Sequence, residues 1–81
     1  PKDELIKEGI RRYLEFELRS LKAEMSKILS KHRVHSFSEL WSKIEGGKVS
    51  ESECFEDLTK LEYLEVRAEK VESLLKEHIS S

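Results

Sequence analysis

This sequence contains a single cysteine, Cys54, so no disulfide can form within the chain and the fold needs no oxidising compartment. Proline occurs once, as the first residue, and glycine only at Gly9, Gly46 and Gly47, so long stretches carry no helix breaker. Aromatic residues make up 7% of the chain. No apolar run approaches the roughly 18 residues of a membrane span, and no signal-peptide pattern is present. A soluble protein of the cytoplasm is expected. The absence of an initiator Met suggests a trimmed or processed chain. The net charge of −2 gives no general pull toward nucleic acid or an anionic membrane.

Charge itself is abundant. Asp, Glu, Lys and Arg make up 40% of the 81 residues, against roughly 25% in an ordinary globular domain. Such a composition belongs to long exposed helices or a coiled coil. Disorder is excluded because apolar residues recur at regular spacing through most of the chain. The length predicts one small domain over residues 1–81, marginal as a monomer without further support.

The clearest pattern is Leu14, Leu18, Leu21, Met25 and Ile28, whose alternating steps of four and three form a heptad seam. Ile10 and Leu29 extend it, with Ile6 and Tyr13 on its edge. A helix is predicted over about residues 3–32, some 40 Å long. Pro1, Asp3 and Glu4 suit its start. Leu5, Gly9, Phe16 and Ala23 form a second line almost opposite the seam.

The stretch from His32 to His35 should break this helix, with β-branched Val34 flanked by histidines. Ser36 and Glu39 fit a capping box for a short helix over about residues 37–45, with Phe37, Leu40, Trp41 and Ile44 on one face. Gly46 and Gly47 suit its end. Ser50 and Glu53 offer a second capping box for a helix over about residues 51–79. Its seam is Cys54, Leu58, Leu61, Leu64, Ala68, Val71, Leu75 and Ile79, with Phe55, Tyr63, Val66 and Leu74 off it.

Two long helices joined by a short connector must lie antiparallel. Charge favours the pairing: residues 1–35 hold nine basic and six acidic side chains, and residues 36–81 hold six basic and eleven acidic. The predicted fold is therefore all-α, a helical hairpin. The middle helix should close one end over Phe37 and Trp41. At the other end Leu5, Ile6, Phe16, Val66, Leu74 and Ile79 would stay open to water. Each large apolar side chain is worth about 1.5–3 kcal/mol on burial, so the sequence predicts a homodimer in which two hairpins form a four-helix bundle. The alternative is a three-helix monomer with scattered surface apolar residues. Leu5, Phe16, Ala23, Phe55, Val66 and Leu74 are the candidate interface.

No catalytic, cofactor or metal set emerges. His32 and His35 stand three apart and could share a metal, but His78 should lie at the far end and Cys54 has no second cysteine to complete a site. Cys54, on the apolar stripe, reads as a buried structural thiol without a positive neighbour to activate it. Glu56, Asp57, Glu62, Glu65, Glu69 and Glu72 could suggest a di-iron bundle, yet the required Glu-x-x-His is missing. These acids read as a solvated face. Arg11, Arg12, Arg19, Lys22 and Lys27 could touch phosphate, although pairing with the acidic helix explains them as well. Gly46 and Gly47 follow a helix, the wrong polarity for a phosphate cradle.

The run from Lys31 through His32, Arg33, Val34, His35, Ser36, Phe37, Ser38, Glu39, Leu40 and Trp41, on through Gly46, Gly47, Lys48 and Val49 to Glu56, Asp57 and Leu58, resembles the connector of small archaeal helical-hairpin proteins of uncharacterised function. The resemblance spans nearly the whole chain. It implies neither an enzyme nor a cofactor, and it is compatible with the neutralising, antitoxin-like half of a two-protein system. Three functional expectations follow: a self-associating interaction module, a regulator binding another protein through the acidic last helix, and a nucleic-acid binder using the basic first helix.

Overall fold

A computed structural model of the protein describes residues 2–80, with side chains for residues 2–78. Helix α1 spans Lys2–Lys31, α2 spans Phe37–Glu45 and α3 spans Glu51–Ser80. Pro1, expected at the first helix start, and the Ile79 side chain, expected on the last seam, lie outside the described residues. No helix among the described residues is long and apolar enough to cross a membrane.

Local sequence accounts for each boundary. Helix α1 carries Asp3 and Glu4 in its first turn and Lys31 in its last, matching the helix dipole at both ends. It passes unbroken through Gly9. It ends in a Schellman turn: the Val34 amide donates to the Leu29 carbonyl at 3.0 Å and the Arg33 amide to the Ser30 carbonyl at 3.0 Å. Arg33 takes the left-handed position with φ 57°, where glycine is the usual occupant. Val34 then turns into the core beside Ile28, so the residue that ends the helix also anchors it.

Helix α2 opens on Ser36, whose hydroxyl accepts from the Glu39 amide at 3.1 Å. The returning arm of the box departs from the expected pattern: Glu39 accepts from the His35 amide at 2.9 Å, one residue before the cap. Helix α2 closes with a second Schellman turn. The Lys48 amide donates to the Lys43 carbonyl and the Gly47 amide to the Ile44 carbonyl, with Gly47 at φ 74°. The box expected at the start of α3 does not form, because the Ser50 hydroxyl pairs with that of Ser52 at 2.8 Å.

The two long helices run antiparallel. Lys31 and His32 reach Asp57 near the start of α3, while His78 shares a shallow hollow with Glu4, Lys7, Glu8 and Arg11. The Glu17–Arg67 and Lys22–Glu72 ion pairs bridge the middle. The molecule is a rod of 58 × 18 × 17 Å. Its radius of gyration of 16.5 Å exceeds the roughly 12 Å of a compact domain of this length.

The core is lopsided along that rod. Ile28, Val34, Leu40, Cys54, Leu58, Leu61 and Leu64 form one buried cluster at the connector end, with Leu21, Met25, Leu29, Phe37, Ile44 and Val49 packed around it. Farther along, Leu14, Ala68 and Val71 continue the seam. Ile10 was expected on this seam, yet it is 39% exposed. At that level α1 has only α3 beside it, near the open end of the hairpin, where the end turns of the two helices leave part of the side chain uncovered. The plug at the connector end also differs from expectation. Leu40 is 0% exposed whereas Trp41 is 39% exposed; of adjacent positions on a short helix, only one can point straight at the hairpin.

The two Schellman turns give a paired prediction. Arg33→Gly should relieve an unfavourable φ, whereas Gly47→Ala should introduce one, each by about 1 kcal/mol. A Cβ at Gly47 would meet nothing within 4 Å, so only the backbone is at stake there. Thermal melts should show the Arg33→Gly midpoint unchanged or raised and the Gly47→Ala midpoint lowered by several degrees. A fall in both would contradict the assignment of strain to Arg33.

Candidate functional site

Two regions of the rod carry more than ordinary helix surface. The first is a polar cluster where the connector meets α3. His32 follows the last residue of α1, and the Schellman turn aims its ring at the first turns of α3. Its Nε2 lies 2.7 Å from Asp57 Oδ2. A carboxylate only accepts, so Nε2 carries the proton of this bond. Its Nδ1 lies 4.0 Å from Cys54 Sγ, the outer limit of a sulfur contact. Lys31 Nζ sits 3.1 Å from the same Asp57 oxygen. Lys43 of α2 donates to the His32 carbonyl at 3.1 Å. One residue therefore ties α1, α2 and α3 together.

The His32 ring, followed by the Lys31 ammonium, holds the Asp57 carboxyl below the usual carboxylate range; partial burial opposes them only in part. Thiol, imidazole and carboxylate stand in the order of a nucleophile, its base and an orienting group. Cys54, however, is 2% exposed, and a substrate cannot reach its sulfur in this conformation. The arrangement is a structural lock in which every polar partner is satisfied: among the described residues, no buried side-chain nitrogen or oxygen lacks a hydrogen bond.

The lock was missed in the sequence. His32 and His35 stand three apart in sequence, but the structure separates them. His35 points to solvent and pairs with Glu39 at 3.6 Å, while His78 lies at the far end beside Glu4. Among the described residues, no group of three or more His, Cys, Asp and Glu side chains could hold a metal ion. Cys54 is buried as expected, and the fold brings the His32 ring to 4.0 Å from its sulfur, a neighbour that local sequence does not place there. His32 and Asp57 are 25 positions apart, and only the register of the hairpin brings them together.

The second region is the exposed apolar surface. Leu5, Phe16, Ala23, Phe55, Val66 and Leu74 are all exposed in the single chain. They do not form one patch. At about 100° per residue, Leu5, Phe16 and Ala23 lie on the side of α1 opposite its seam, and Phe55 and Val66 lie likewise on α3. The two groups therefore sit on opposite outer edges of the hairpin. Phe55 shares an open hollow with Phe37, Trp41, Leu58 and Glu62 beside α2. Leu74 lies on a flank, where the exposed Ile6, Tyr13 and Tyr63 also fall. The flank residues were legible in the heptad spacing of Ile6 and Tyr13, but the spacing alone could not say which exposed lines of the two helices share a side.

The lock has a definite pH signature. Because the folded carboxyl of Asp57 titrates below its unfolded value, the unfolded chain takes up the proton first as pH falls. The stabilisation is complete above the ordinary carboxylate range and is lost as pH drops through it. Asp57→Asn should cost about 1–2 kcal/mol near pH ~6 and progressively less toward pH ~3, measured as the difference in urea midpoint from the unaltered chain. A difference that stays constant with pH would show that Asp57 acts through packing rather than charge.

Comparison with known proteins places this hairpin among relatives. The sequence matches the family described as "Uncharacterized protein MJ0235 family" over residues 1–79. The "Uncharacterized protein MJ0235" of Methanocaldococcus jannaschii is 33% identical over 75 residues, covering 93% of this chain and 92% of that protein. No solved structure matches the chain. The family match over nearly the whole chain and this near full-length relative show that the chain belongs to the MJ0235 family.

Proposed function

We propose that the protein is a non-catalytic interaction module whose hairpin associates with a second copy of itself. The observation that carries this reading is its surface. The single chain exposes 6406 Å², against about 5,000 Å² for a compact monomer of its mass. A standard protein interface takes roughly 800 Å² from each partner, so the excess is large enough to supply one. Much of the excess is apolar: Leu5, Ile6, Tyr13, Phe16, Phe55, Tyr63 and Val66 are each more than half exposed. A rod two helices wide cannot cover them by itself.

Three of the five basic side chains of α1 that could meet phosphate, Arg11, Arg12 and Lys22, are engaged in ion pairs, which supports this reading over a nucleic-acid surface. Arg11 pairs with Glu8 and Glu15, Arg12 with Glu8, Lys22 with Glu72 and Lys31 with Asp57. Charges engaged in this way stabilise and orient helices rather than wait for phosphate.

Sedimentation equilibrium from low to high micromolar concentration tests the reading. The expected result is a mass of twice the chain, with a thermal midpoint that rises with concentration because association stabilises only the folded form. A single-chain mass across the whole range would overturn it.

A further inference from the structure

Resting on the self-association reading, the geometry points to one flank of the rod as the face on which the second copy docks: the flank carrying Ile6, Tyr13, Tyr63 and Leu74 around the Glu17–Arg67 ion pair. On α1, Ile6 and Tyr13 are seven residues apart and lie on the same side of the seam as Glu17. On α3, Leu74 follows Arg67 by seven residues and Tyr63 precedes it by four, again on one side. The Glu17–Arg67 bridge fixes these two lines to a common flank. Arg67 Nε and Nη2 both reach Glu17 Oε1, at 2.9 and 2.7 Å. By helical phase and register, Tyr13 and Tyr63 stand along this flank on either side of the bridge.

Three features make this flank fit a second copy. Its apolar members are all exposed, Leu74 at 37% and Ile6, Tyr13 and Tyr63 at 59–66%. Tyrosines of this kind are favoured anchors at interfaces because a large ring brings a polar tip that can stay hydrogen-bonded. The polar centre is already paired within one chain, and the Glu17 side chain is 18% exposed. A partner can therefore cover it without orphaning a charge, while two such pairs related by a two-fold axis would fix register. The flank is also unobstructed. Helix α2 lies toward the other side, where Phe37 and Trp41 meet Leu58 and Glu62; that side also holds the Lys22–Glu72 pair and, by helical phase, Glu65. Face-to-face packing of two hairpins on this flank leaves every helix antiparallel to its neighbours, the arrangement of a four-helix bundle.

Tyr13 and Tyr63 are the two tyrosines of the chain, so the unaltered protein reports on its own interface. Tyrosine nitration followed by peptide mass analysis would be run at concentrations spanning the association measured by sedimentation. The expected result is a several-fold slower nitration of both tyrosines in the associated species. In parallel, Tyr13→Arg combined with Tyr63→Arg should shift the protein to a single-chain mass, whereas Glu65→Arg, which adds the same charge on the other side, should not. A dimeric mass with both tyrosines nitrated at the single-chain rate would overturn this face while leaving self-association intact. A single-chain mass for the unaltered protein at every concentration would overturn both.

Discussion

A hairpin of two helices can bury only one side of each helix, and this constraint governs the whole molecule. The buried seam from Leu14 to Ile28 on α1 and from Cys54 to Val71 on α3 uses the single contact available. A third surface exists only where α2 folds back, and there the core thickens around Leu40, Val34 and Leu61. Elsewhere the rod remains two helices wide, and among the described residues its large apolar side chains outside the seam stay exposed. Stability and stickiness thus have one origin. The connector end is closed by packing, and the rest exposes what packing could not reach.

The connector is therefore more than a turn. Two Schellman turns bend the chain around α2, and the His32–Asp57 bond joins the end of α1 to the start of α3. Charged hydrogen bonds of this type contribute about 1.5–3 kcal/mol when partly sheltered from water. Placed next to the densest part of the core, the bond holds the register from which every later contact along α1 and α3 follows. A shift of α1 by one residue would rotate it about 100° and carry Leu14 and Ile28 off the seam.

Much of this was legible in the sequence because periodicity is a property of a single helix. The heptad steps of α1 and α3, the Ser36 cap and the closing glycines each depend on neighbours within a few residues. The features that escaped depend on what lies across the hairpin. Ile10 belongs to the seam by spacing but is uncovered by position. Arg33 occupies a left-handed turn that sequence would assign to glycine, because the bonds from Arg33 and Val34 back to Ser30 and Leu29 compensate for its φ. His32 looked like a partner for His35, three residues away, and found Asp57 and Cys54 instead. The exposed apolar residues were recognised as exposed. Their division between two outer edges and one flank required the register of α1 against α3.

The central claim is that one end of the rod is sealed by its own chain while the remainder is completed by another. Hydrogen–deuterium exchange along α1, followed at dilute and at concentrated protein, tests it most directly. The account predicts that amides around Ile6, Tyr13 and Glu17 gain protection as concentration rises, while those around Met25 and Ile28 are protected throughout. Exchange that is uniform along α1 and indifferent to concentration would contradict it.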